Sequence, residues 1–226
     1  MTPIQQMLLG VGGKKKTYVD DVFSTYLYTG DSASTRTITT GVDTKTDGGM
    51  VWIKKRNSST NSDHTLFHTG LGYNKNLSTN SDAAAASSSA RFKEQLTTGF
   101  KIGSDGTVND GHSGVGDTYS SWSFKNTKGF FDVVTYTGNG TSGRTVSHSL
   151  GSIPGMIIVK NYGGTNNWAV YHKGLPDGSG DVLRLNTDAA KVNSTGWWND
   201  TDPTASVFTL GNDSEVNGNG DTYVAY

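Results

Sequence analysis

The sequence predicts an all-β protein: two tandem homologous antiparallel β-sandwich units preceded by an extended N-terminal arm. Composition is the first observation behind this. Hydrophobic residues make up 33% and charged residues 17% of the 226, while glycine alone fills 30 positions and Ser, Thr and Asn much of the rest. Such residues bond locally to backbone or lack helix propensity, so amphipathic helices are poorly supplied and short strands with many turns are favoured. The second observation is segment length. MVWIKK, MIIVK, NWAVYH, DVLRL, SVFTL and DTYVAY are apolar, β-branched or aromatic runs between Gly, Asn and Asp clusters, each of about five or six residues, the common strand length. The third is that the chain is written twice.

Residues 1–22 belong to neither copy. MTPIQQMLLGVGGKKKTYVDDV combines a few apolar residues, a glycine hinge and three lysines, and reads as a terminal arm that orders against a partner. Its docking residues are Ile4, Met7, Leu8, Leu9, Lys14, Lys15, Lys16 and Tyr18. The apolar residues precede the lysines, and no apolar run approaches the length of a signal or membrane-spanning segment.

The first unit covers residues 23–129 and the second 130–226. Phe23, Tyr28, Thr29 and Gly30 recur as Phe131, Tyr136, Thr137 and Gly138, and the same shift of 108 residues carries Arg36, Thr37 and Ile38 onto Arg144, Thr145 and Val146. With small insertions, GMVWIK answers GMIIVK, Phe67 and His68 answer Tyr171 and His172, GFKIG answers VFTLG, and GDTY occurs in both. Each unit reads as a sandwich of roughly six to eight strands. The alanine-rich stretch 81–96 of the first unit is expected to support a short helix. The first unit carries its last strand well past Tyr119, whereas the second stops at Tyr226, the counterpart of Trp122. The strand is therefore expected to continue in a longer native chain or to be completed by another chain.

A formal charge of −1 gives no basic field to draw the chain to nucleic acid. The absence of cysteine removes disulfides, thiolate metal sites and cysteine nucleophiles together. Gly138, Gly140 and Gly143 spell G-x-G-x-x-G, the pattern of a pyrophosphate cradle. The first unit writes the same turn GDSAST, and RTVSHSL after the loop is β-like instead of helical, so a glycine-rich hairpin is expected and no cofactor. His68 and His172, with Asp82 and Asp188, are the best material for acid–base work, yet repetition duplicates structural residues as faithfully, and no catalytic residue is assigned. DSEVNGNGD alternates oxygen-bearing side chains without wrapping them around an ion, so it reads as a polar strand pair with its turn and no metal site is assigned. Trp197 and Trp198 stand in a polar, turn-rich segment and are the residues for a glycan contact. Trp52 and Trp168 sit in strand-like runs and are assigned to core.

The opening through VFSTYLYTG, followed by GGMVWIKKR, GFFDVVTYTGNG, SLGSIPGMIIVK, NWAVYHKGL, VFTLG and TYVAY, resembles a repeat domain of unknown biochemical activity found in tail, fibre and appendage proteins of marine podoviruses, notably those infecting cyanobacteria. The resemblance covers nearly the whole chain. It implies a virion component of the tail or its appendages, made in the host cytoplasm, whose arm docks onto other tail proteins and whose β-units project. It further implies a homo-oligomer, with a trimer favoured, and no enzymatic activity. The alternative is a lectin-like module that binds a host surface glycan. Neither reading involves nucleic acid or membrane insertion.

Overall fold

The computed structural model describes residues 17–57, 62–111 and 116–226. A single helical turn, α1 (Val19–Val22), runs straight into β1 (Phe23–Thr29). The first half continues with β2 (Arg36–Thr39), β3 (Gly49–Lys55), β4 (Thr65–His68), β5 (Lys75–Asn76), β6 (Ala86–Ser87), β7 (Phe92–Leu96), β8 (Gly99–Ile102) and β9 (Thr118–Lys125). The second half contains β10 (Val134–Thr137), β11 (Arg144–Ser147), β12 (Met156–Asn161), β13 (Ala169–His172), β14 (Asp181–Arg184), β15 (Val192–Asn193), α2 (Thr195–Trp198), β16 (Val207–Leu210), α3 (Ser214–Asn217) and β17 (Thr222–Ala225).

The fold is nearly all β, and every strand pairing is antiparallel. In the first half the sheet β1-β9-β3-β4 faces the sheet β2-β8-β7 across a core that includes Val51, Ile53, Phe67, Phe92, Phe100 and Tyr119. In the second half β10-β17-β12-β13-β14-β15 faces the pair β11-β16 across Ile157, Val159, Tyr171, Trp198, Phe208 and Tyr223.

One constellation recurs in both halves. Tyr28 stacks on Tyr119 with centroids 5.1 Å apart, the Arg36 guanidinium lies 5.3 Å from the Tyr28 ring, and the Tyr28 hydroxyl donates to the Val108 carbonyl at 2.7 Å. Arg36 donates to the Thr29 carbonyl and, at 3.2 Å, to Asn109 Oδ1, which also accepts from the Asp31 N–H at 3.1 Å. In the second half Tyr136 stacks on Tyr223 at 5.2 Å, Arg144 lies 5.3 Å from Tyr136, and the Tyr136 hydroxyl donates to the Val216 carbonyl at 2.8 Å. Arg144 reaches the Thr137 carbonyl and Asn217 Oδ1, which accepts from the Asn139 N–H at 3.0 Å. The clamp ties the loop leaving the first strand of each half to the loop that precedes its last strand. Loops carry backbone groups with no ladder to satisfy them, and one buried amide serves several at once.

Three local expectations are corrected. The stretch 81–96 is not helical: Ala85 donates its N–H to the Tyr162 carbonyl of the second half, and Phe92 is drawn into β7, where it stacks on Phe67 at 4.4 Å. An alanine-rich stretch has little apolar surface to hold a helix, and burying Phe92 outweighs its modest propensity. The glycine-rich loop after β10 is not a hairpin, because β10 pairs with β17 and β11 with β16; it crosses from one sheet to the other. A Cβ at Gly138 would collide with the Gly218 carbonyl, and at Gly30 with that of Asp110, which explains why this one glycine stands in both halves. The segment 213–221 is not a strand pair either. Asp213 caps α3 by accepting from the Glu215 N–H at 2.8 Å, which closes one helical turn.

Replacing Asn109 or Asn217 with Ala should lower stability by about 2–3 kcal/mol in each case, since both amides are fully buried and make three or more hydrogen bonds. Urea unfolding of the two variants measures this, and a cost under about 0.5 kcal/mol at either site would remove the clamp from the account.

Candidate functional site

The strands β3 and β12 read GMVWIKK and MIIVKN, apolar at consecutive positions. Alternation in a strand sends Val51 and Ile53 into the first core and Ile157 and Val159 into the second, leaving Met50, Trp52, Met156 and Ile158 on the opposite faces. Those faces meet at a junction between the halves. Met50, Leu66, Leu71, Leu77, Trp168 and Val224 form a third buried cluster there, with Trp52, Phe124, Phe131 and Tyr226 packed against it.

Two side chains of the second half lock the junction onto the loop 78–85 of the first. The Trp168 indole N–H is shared between the carbonyls of Ser78 and Ser81, at 3.2 and 3.0 Å. The fully buried Lys160 ammonium donates to the carbonyls of Asp82, Asn161, Gly164 and Asn166 at 2.7–3.2 Å. Burial pulls its pKa down to about 8, which leaves the ammonium charged at neutral pH. Backbone bonds from Ala85 to Tyr162 and from Asn166 to Asp82 continue the seam.

The junction is not filled everywhere. A groove of about 310 Å³ opens between Trp52 and Phe124 on one side, Phe130 and Phe131 on the connecting segment, and Met156, Ile158 and Tyr226 on the other. Its lip includes three large apolar side chains held open to solvent, Phe130 (40% exposed), Met156 (52%) and Leu185 (40%). Two of the polar side chains that line it, Asp132 and His148, are engaged: Asp132 accepts from the N–H groups of Val133 and Ser149. His148 accepts from the Leu150 N–H at Nδ1, which leaves Nε2–H to donate to the Thr204 carbonyl. The groove therefore suits an apolar chain or side chains better than a polar substrate.

His68, at the end of β4, is buried among the junction strands with 3% exposure, its ring 5.4 Å from that of Tyr226 and perpendicular to it. Neither ring nitrogen has a hydrogen-bond partner among the described residues, nor does the Tyr226 hydroxyl. Burial depresses the His68 pKa to about 4, so the ring is neutral. The Tyr226 backbone donates its N–H to the Ile158 carbonyl and accepts from the Ile158 N–H, at 2.8 and 2.9 Å.

The residues singled out in the sequence are dispersed. His172 is exposed and accepts from the Gly174 N–H, so the two equivalent histidines occupy unlike surroundings. Asp82 contributes its carbonyl to Lys160, while Asp188 lies on the surface. Trp197 and Trp198 do not form a glycan-facing platform: they are 7% and 2% exposed within the second core. Trp197 is held by Glu215 on α3, which accepts from its indole at 2.8 Å and pairs with Arg184, itself 5.4 Å from the Trp197 ring, while Trp198 packs edge-on against Tyr171. Trp168 is core as expected, and Trp52 is half-buried at the groove, its indole donating to His64 Nδ1 at 3.0 Å. Of the arm residues, Tyr18 is 63% exposed; Ile4, Met7, Leu8, Leu9, Lys14, Lys15 and Lys16 lie outside the described residues. The groove escaped sequence reasoning, although the unbroken apolar runs of β3 and β12 signalled sheets covered on both faces.

A family model described as a domain of unknown function, DUF7483, matches residues 19–226, from α1 through both halves. The chain belongs to the DUF7483 family. No curated protein and no solved structure matches it. The junction and its groove fall wholly inside the family's matched span.

Two outcomes are expected for this DUF7483 domain. Lys160→Met should cost about 3 kcal/mol in urea unfolding at neutral pH, because it strips the shared donor from four carbonyls and leaves them buried; a neutral effect would contradict the locking role. The His68 pKa is lower in the folded chain than the ordinary value near 6.5, so the unfolded chain takes the proton first and stability falls as pH drops from about 6.5 towards 4. That loss should reach about 2 kcal/mol and be largely absent in His68→Phe, as read from unfolding curves near pH 7 and pH 4.5.

Proposed function

We propose that the chain is a non-enzymatic structural component of a phage tail, a fibre or fibre-connecting piece that attaches to other tail proteins through its N-terminal arm and presents its β-halves. On this reading it is assembled in the host cytoplasm, carried on the virion, and built as a homo-oligomer with a trimer favoured. The observation that carries it is the locked junction. A connector needs a stiff body and a tether; Trp168 and Lys160 tie one half to the other, while α1 leads out from β1 at one edge. The resemblance of nearly the whole chain to tail and appendage proteins supports the same reading. The recurrence of the Tyr-Arg-Asn clamp supports a duplication of one β-unit at 23–129 and 130–226.

The lectin-like alternative loses the residues that motivated it, since the Trp197 and Trp198 rings are enclosed by core. Mass spectrometry and cryo-electron microscopy of the purified virions test the proposal. The chain should co-purify at fixed copy number, with density at the tail and contacts from residues 1–22. Its absence from the particles, or glycan-array binding by the full chain, would overturn it.

A further inference from the structure

We propose that two copies of the chain join through the free edge of β1, their β1 strands pairing antiparallel about a two-fold axis beside Tyr26. This concerns the surface that joins copies and does not rest on the tail reading.

The ladder fixes which backbone groups point outward. Just past β1, Gly30 donates its N–H to the Asp117 carbonyl, one step beyond the Thr29–Thr118 pair of the β1–β9 register. On the other side of β9, Arg56 donates to the Thr118 carbonyl and Asn126 to that of Gly48, so even-numbered residues of β9 bond to β3 and odd-numbered ones to β1. Hydrogen-bonded pairs alternate along an antiparallel ladder. Ser24, Tyr26 and Tyr28 therefore turn their N–H and C=O groups to β9, whereas Phe23, Thr25, Leu27 and Thr29 turn theirs away from the sheet. The ends of that outer row are partly taken, the Phe23 N–H by the Val19 carbonyl of α1 and the Thr29 carbonyl by Arg36. Between them the main-chain groups of Thr25 and Leu27 have no partner among the described residues. Such a row is a template for another strand.

The usual protections of a sheet edge are missing here. FSTYLYT carries no charge and no proline, pairs with β9 over its whole length without a bulge, and leaves Tyr26 40% and Leu27 61% exposed. At the other edge of the same sheet, β4 is bridged through Leu66 to Leu77. In the second half the counterpart of Leu27 is Thr135, which lies against the first half: a Cβ added to Gly70 would be 2.8 Å from its methyl group. Leu27 faces solvent instead.

The open window is self-complementary. With Thr25 of one copy opposite Leu27 of the other, each Thr25–Leu27 pair exchanges both of its main-chain hydrogen bonds. Tyr26 then meets Tyr26 in the closer, non-hydrogen-bonded pairing, each Leu27 packs beside a Thr25, and no charged side chain of β1 meets its like. An edge that selects a foreign peptide reads its side chains in adjoining pockets, and the junction groove is lined by no residue of β1. A second copy supplies the matching strand through an isologous contact, the commonest kind in homo-oligomers. Two four-stranded sheets become one continuous sheet.

The chain has no cysteine, so Tyr26→Cys places a lone thiol beside the axis while its backbone stays paired with β9. Oxidation of this full-length variant should give a disulfide-linked dimer at least about tenfold faster than oxidation of Tyr73→Cys, a site 46% exposed elsewhere on the first half. Equal rates would overturn the proposal. Sedimentation equilibrium of the unsubstituted chain should give twice the chain mass. Leu27→Lys, and separately Thr25→Pro, which deletes an outward N–H that β9 does not use, should each raise the dimer dissociation constant at least about tenfold with unchanged far-ultraviolet circular dichroism. Thr25→Val, which keeps the N–H, should leave it unaltered. A monomer at every concentration, or a dimer that neither variant weakens, would sink the idea. So would a trimer, the order that the resemblance favours, and that result would leave the tail reading standing. A dimer absent from purified virions would refute the tail reading alone.

Discussion

The rest of the structure depends on the fact that β3 and β12, inner strands of the two large sheets, pack apolar side chains on both of their faces. With so few apolar residues available, a sandwich that wasted one sheet face on solvent would have a thin core, and small cores are marginal. Here β3 and β12 send alternate residues into a core of their own half and into a junction shared with the other. Separating the halves would expose Met50, Leu66, Trp168 and Val224 at about 1.5–3 kcal/mol for each large side chain, and would strip Lys160 and Trp168 of carbonyls across the seam.

Inside each half, irregular loops are held by very few groups. Asn109 and Asn217 take the same role because a buried primary amide both donates and accepts, so it can answer an arginine and several main-chain groups together. The stacked tyrosines beside them supply apolar area with a hydroxyl at the far end for a carbonyl. Where the halves differ, the consequences are local. Glu215 has Thr107 as its counterpart, and the carboxylate draws an indole and a guanidinium inward in the second half, whereas Thr107 only closes a turn with Asp105.

The groove follows from the same geometry. Two twisted sheets packed back to back cannot match over their whole width, and the connecting segment 126–133 wedges Phe130 and Phe131 into the gap. The result is an apolar recess at the junction, while the histidines and carboxylates that looked chemically suggestive are spread over unrelated surroundings. His68 illustrates the difference between residue type and site: its burial beside Tyr226 keeps it neutral and shut away from substrate.

The sequence by itself determined the strand content, the antiparallel all-β class, the order of the apolar segments and the corresponding landmarks of the two halves. These are local properties, written in segment length, turn residues and internal recurrence. It also showed that the G-x-G-x-x-G loop lacks a helix to follow it, since RTVSHSL carries a β pattern. Only the tertiary structure decided which sheet each strand joined, so β10 and β11 proved to be separated by an inter-sheet loop instead of forming a hairpin. It likewise decided that Trp197 and Trp198 turn inward, because the acceptor for the Trp197 indole comes from α3 and the ring that packs on Trp198 comes from β13. The junction groove was beyond local reading for the same reason: a strand's alternation tells which residues share a face, but not what that face meets.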